Sequence, residues 1–147
     1  MEKVDRTSKL TSNTLYIGID AGTHTGITVW DRTDRRLVSV ETMTITKAMD
    51  VVRGLSESAD IVVLLEDARK RNWFGCAGRE KLQGAGSVKR DCAIWETFCE
   101  EMGIECRKVA PKHNYTKLTA SQFKALTNWA GRTSDHSRDA AMLVFGR

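Results

Sequence analysis

Four side chains have the types and the placement to do chemistry together. Asp20 closes an apolar run that begins at Leu15, and Ala21-Gly22-Thr23 follows it. Glu66 closes a second run that begins at Ile61, and Asp67-Ala68-Arg69 follows it. His136 and Asp139 lie three residues apart in a stretch of helical spacing, so they share a face. If the two runs are strands paired in parallel, their ends sit about one strand spacing apart, ~5 Å, with the carboxylates side by side. Carboxylates packed in this way repel one another, and a divalent cation resolves the repulsion. Hard oxygen donors favour Mg²⁺ or Mn²⁺ over zinc. Two such ions roughly 3.5–4 Å apart clamp a phosphodiester, activating water on one side and stabilising the leaving oxygen on the other. His136 has two roles open to it, ligating the second ion or orienting the water, and both need a neutral imidazole. Each residue alone also has a structural role available: turn residue, solvated strand end, helix surface, local hydrogen-bonding group. Their combination in this strand order is what points to a metal centre.

The elements that must position them follow from periodicity. Residues 1–14 read as a flexible N-terminal tail and 15–147 as one domain. Strands are predicted at Leu15–Asp20, Thr25–Asp31 and Arg36–Thr42, joined by short turns that suit antiparallel hairpins. A helix is expected over Thr46–Glu57, then a buried β-branched strand over Ile61–Glu66. Asp67–Gly86 is basic, contains glycine and carries Trp73-Phe74; it is too long for an idle connector. Ser87 is the expected N-cap of a helix to Met102, and Gly84-Ala85-Gly86-Ser87 at such a helix start is either a phosphate seat or a turn and cap. A fifth strand over Ile104–Val109 and helices over Thr119–Trp129 and from Ser134 to about Phe145 complete the chain. This order predicts an α/β fold with a mixed five-stranded sheet flanked by helices. The first three strands are antiparallel, and strands one, four and five parallel.

Composition narrows the function classes. No uninterrupted apolar run approaches the roughly 20 residues that a membrane span needs; Ile61–Leu65 has five. The first 13 residues have no apolar core, so neither a signal peptide nor a membrane anchor is expected, and a cytoplasmic location follows. The 147 residues carry a net charge of +4, unevenly placed. Residues 1–68 hold 8 basic and 11 acidic side chains, and residues 69–132 hold 13 and 6, which suggests an anionic partner for the central segment. The 4 cysteines include no C-x-x-C pair, which argues against a zinc knuckle and for reduced thiols. Cys92 and Cys99, seven apart, can both point inward.

Gly18-Ile-Asp20-Ala-Gly22-Thr-His-Thr-Gly26, then Leu65-Glu66, then His136-Ser-Arg-Asp139-Ala-Ala resembles the RuvC-type Holliday junction resolvases of the ribonuclease H-like superfamily. The resemblance covers about residues 15–147. It implies a homodimeric endonuclease that uses two Mg²⁺ ions, or Mn²⁺ in their place, to resolve four-way DNA junctions by paired symmetric nicks. By position it makes Asp20, Glu66, His136 and Asp139 the catalytic and metal-binding set, with Asp67 and Asp135 as lesser candidates. It implies dimerisation through the long helix, here the Val88, Cys92, Trp95, Cys99 and Met102 seam, unless that seam packs on the sheet. It implies DNA contacts from Arg69, Arg71, Lys81, Lys89, Arg90, Lys112 and Lys117, and an aromatic entering the junction, Trp73 or Phe74, unless these anchor the loop. The longer, glycine-richer loop after Glu66 and the extra tail suggest a phage or mobile-element version acting in a bacterial cytoplasm, with a broader branched-DNA nuclease as an alternative. Ribonuclease H, an actin-like ATPase and a non-catalytic DNA-binding module are the competing classes. An ATPase of that type needs two such domains, and 147 residues provide one.

Overall fold

The fold comes from a computed structural model that describes residues 14–66, 79–110 and 117–147; the side chains of 79–85 and 88 are not among those described. The expected tail and the segment 67–78 lie outside the described residues. Five strands form a single sheet in the order β3-β2-β1-β4-β5. The central strand β1 (Thr14–Asp20) is flanked by β2 (His24–Asp31), antiparallel, and β4 (Asp60–Glu66), parallel. The outer strands are β3 (Arg36–Thr44), antiparallel to β2, and β5 (Glu105–Val109), parallel to β4. Connection lengths dictate this pattern. Three residues join β1 to β2, and a turn held by Asp31 Oδ1, which accepts from the Thr33 and Asp34 amides, joins β2 to β3. Helix α1 (Ile45–Ser58) carries the chain from β3 to β4, and helix α2 (Arg79–Met102) lies between β4 and β5, as parallel crossovers require.

Side-chain alternation sorts the core into two layers. Ile17, Ile19, Ile27, Val29, Val63 and Leu65 face Ala48 and Val52 of α1 and Cys92, Trp95, Phe98 and Cys99 of α2. Tyr16, Trp30, Val62 and Leu64 face the other way, against Leu143 and Val144 of α4 (Asp135–Val144). Helix α3 (Ala120–Thr127) adds Phe123 against Val40 and Ala141. Burying each large apolar side chain contributes about 1.5–3 kcal/mol, so the fully covered Ile17, Ile19 and Trp95 are among the anchors of the fold.

Helix α4 lies unusually close to the sheet, and two strand glycines allow it. A Cβ on Gly18 would stand 2.1 Å from the Ala140 carbonyl oxygen, and one on Gly26 would stand 2.0 Å from that of His136. Both clashes would be with backbone, which cannot swing away as a side chain can. Thr28 Oγ1 donates to the Ser137 carbonyl at 3.2 Å, and Thr42 bonds the cap residue Ser134, pinning the start of the helix.

Several expectations need correction. Helix α2 begins at Arg79, so Gly84–Ser87 lies inside it, and Ser87 neither caps a helix nor seats a phosphate there. The run Glu80-Lys81-Leu82-Gln83 is strongly helix-forming, and the roughly 1 kcal/mol cost of each nearby glycine is absorbed by a 24-residue helix. Helix α3 stops at Thr127 because Asn128 turns left-handed at φ 59°. Most of the proposed dimer seam packs within the chain: Cys92, Trp95 and Cys99 are 0% exposed beneath the sheet and have no surface to offer a partner, whereas Met102 at its end is 37% exposed. The side chain of Val88 lies outside the description. Among the described residues no helix is long and apolar enough to cross a membrane.

Candidate active site

Asp20 and Glu66 sit one residue beyond Ile19 and Leu65, which are paired across the parallel β1–β4 ladder. Their side chains share the parity of Gly18 and Leu64, so both lie on the face that α4 covers. Glu66 is 5% exposed, and its carbonyl accepts from the Cys92 thiol at 3.3 Å. That bond ties the end of β4 to α2. The close approach of α4 at Gly26 brings His136 to Asp20, where Nδ1 lies 3.0 Å from Oδ2. Asp139, one turn further along, accepts at Oδ1 from the backbone N–H of Lys117 at 3.2 Å. Lys117 holds a left-handed φ of 66°, a conformation that side-chain-bearing residues adopt at a cost.

The electrostatics bear on what the site wants. Burial raises the Asp20 carboxyl from its ordinary 3.8 to about 6; the charges of Glu66 and Asp139 add to the rise, and the bond to His136 opposes it. Burial likewise raises Asp139, against the Lys117 amide and with help from Glu66 and Asp135. The three carboxylates therefore sense one another. Among the described residues no lysine or arginine forms an ion pair with Asp20 or Asp139. Three hard-oxygen donors gathered with an imidazole match the chemistry of a divalent cation. Among the described residues, no three such side chains yet converge on one ion position. Asp20 Oδ2 is engaged by His136 and Asp139 Oδ1 by the Lys117 amide, so each bond uses one oxygen of its carboxylate.

Of the remaining sequence candidates, Asp135 is 86% exposed at its side chain and pairs with Arg138, not with the carboxylate cluster. Lys89 and Arg90 are exposed on α2, and Lys117 is exposed beside Asp139. Lys81 lies on α2 with its side chain undescribed, and Asp67, Arg69, Arg71, Trp73, Phe74 and Lys112 lie outside the described residues. The supporting roles of four residues escaped the sequence reading. The Lys117 amide acts through backbone that no side-chain pattern reveals. Gly18 and Gly26, strand glycines on one face, were the available signal for close backbone approach. Arg138, 8% exposed, was visible as a charge three residues before the core residue Ala141.

No family model and no curated protein sequence matches the chain. Among solved structures, one described as T. thermophilus RuvC in complex with Holliday junction substrate superposes with a TM-score of 0.59. The match covers 89% of this chain and 90% of that one at 15% identity. At that identity the likeness is one of fold, and this chain has the RuvC-like, ribonuclease H-like architecture.

Proposed function

We propose that this protein is a metal-dependent endonuclease that resolves four-way DNA junctions by paired nicks. The observation that carries the reading is the placement of Asp20, Glu66, His136 and Asp139 at one end of the central strand pair, near enough for the carboxylate charges to act on one another. The fold shared with a RuvC solved on a Holliday junction supports the choice of branched DNA.

Asp20, Glu66 and Asp139 would hold the ions, with His136 beside them. Bound Mg²⁺ supplies Lewis acidity toward the phosphodiester and a water of lowered pKa. The chain's own groups do the rest. With Asp20 ionised, its Oδ2 accepts from His136 Nδ1–H and fixes the imidazole tautomer. Nε2 of a neutral ring is then free to accept a proton or hold a water at the exposed rim of the site. Lys89, Arg90 and Lys117 are exposed and would meet backbone phosphates, which would make binding salt-dependent. We assign the homodimer contact to the exposed side of α2 around Ile94, which is 41% exposed beside Arg90, Ala93 and Thr97.

The test is cleavage of a labelled immobile four-way junction beside a linear duplex and an RNA–DNA hybrid, each with Mg²⁺ or EDTA. Paired nicks in the junction alone, lost in EDTA, support resolution. Cutting of the hybrid alone moves the assignment to ribonuclease H, and salt-sensitive junction binding without cutting leaves a DNA-binding module.

A further inference from the structure

Arg138 neighbours Asp139 in sequence, yet its side chain turns away from the carboxylates into the protein. Its guanidinium is almost wholly buried and spends its donors on two separate segments. Nε donates to the Leu118 carbonyl at 2.8 Å, and Nη1 donates to the Thr133 carbonyl at 3.2 Å and to Thr133 Oγ1 at 2.8 Å. Nη2 pairs with Asp135. A planar, always-charged fork is suited to this kind of multidentate bonding, and lysine cannot reproduce it. The Leu118 arm matters most, because Leu118 follows the residue whose amide holds Asp139. Lys117 presents that amide from a left-handed conformation, which persists only where its surroundings over-determine it. The Leu118–Arg138 bond is such a constraint, and it comes from the same helix that carries Asp139 and His136.

We propose that Arg138 is a positioning residue for the metal centre: through the Leu118 carbonyl it fixes the Lys117 amide, and through that amide it orients the Asp139 carboxylate. The proposal rests on the metal-dependent reading above. It also assigns Asp135 to the support of Arg138 rather than to the metal. Groups that orient metal ligands from behind typically govern affinity by about 10–100-fold.

The experiment measures Mn²⁺ binding to the full chain, without DNA, by calorimetry at a temperature where each variant is folded. Arg138→Lys keeps the charge and loses the fork, so an affinity weaker by about 10-fold or more is expected. Thr133→Ala removes another of the guanidinium's bonds without touching the Leu118 arm; it is expected to lower the melting temperature and leave Mn²⁺ affinity at the wild-type value. If Arg138→Lys does not fold, Arg138→Met takes its place. Loss of a nearby positive charge would by itself tighten cation binding, so weakening in Arg138→Met has to come from geometry. Wild-type affinity in the Arg138 variant, or equal weakening in Thr133→Ala, would overturn the proposal and leave Arg138 a staple of the fold. A wild-type chain that binds no Mn²⁺ would instead sink the metal-dependent reading itself.

Discussion

Replacing Asp20 by Asn should make the metal-free protein more stable while abolishing its cleavage. The Asp20 carboxyl is raised from 3.8 to about 6, by burial first and then by Glu66 and Asp139. The folded chain therefore holds this proton more tightly than the unfolded chain does. The stability it contributes is complete below about pH 4 and is lost as pH rises through about 6. At 1.36 kcal/mol per pH unit, the ionised group costs the folded state about 3 kcal/mol at pH 7.5. The side chain is 19% exposed, so solvent screening takes only a modest part of that. Asn mimics the protonated form, can still accept from His136 Nδ1–H, and does not ionise. Urea or thermal unfolding in EDTA should show the two proteins matched near pH 4 and diverging toward pH 7.5. At about 2–4 °C per kcal/mol for a chain of this size, the gap in Tm approaches ~6–12 °C. Millimolar Mg²⁺ should narrow it by stabilising the wild type alone. An Asn variant that is less stable at pH 7.5, or a gap that does not change between pH 4 and 7.5, would refute the reasoning.

Other outcomes follow from the same geometry. Gly18→Ala drives a methyl group into the Ala140 carbonyl, so it should cost about 3 kcal/mol in urea unfolding and reduce cleavage, because His136 and Asp139 ride on the displaced helix. At limiting Mg²⁺, cleavage should fall as pH drops through about 6, where Asp20 takes up its proton. The ion favours the ionised carboxylate, so the acid midpoint should move lower as Mg²⁺ is raised, and a midpoint indifferent to Mg²⁺ would contradict this. Ile94→Glu, on the exposed side of α2, should convert a dimer to a monomer in sedimentation at little cost to folding. Trp95→Ala, fully buried, should instead lose about 3–5 kcal/mol of stability.

The strands were legible because their signals are local. β1 and β4 are apolar on both faces and end in a carboxylate, and the connection lengths fix which strands can pair in parallel. The metal-site candidates were legible for the same reason, since placing Asp20 and Glu66 needs only the strand order. The start of α2 was misread because glycines at 84 and 86 look like a break when taken locally, whereas a long helix carries them. The seam of Cys92, Trp95 and Cys99 shows that a helical stripe reports burial and not what buries it. The supporting contacts were illegible because they depend on tertiary approach. The Lys117 amide reaches Asp139 across 22 positions, and Arg138 reaches Leu118 across 20.

The central claim is that the carboxylates around Asp20 hold the ions that cut junction DNA. Glu66→Gln is its most direct probe, because Glu66 is buried at the heart of the cluster and the substitution removes a charge with almost no change of shape. Cleavage of a four-way junction would be followed for wild-type and Glu66→Gln proteins in Mg²⁺, with junction binding measured in parallel in EDTA. The account predicts paired nicks from the wild type, none from the variant, and comparable binding by both. Cutting by the variant at the wild-type rate, or cutting by either protein in EDTA, would contradict it.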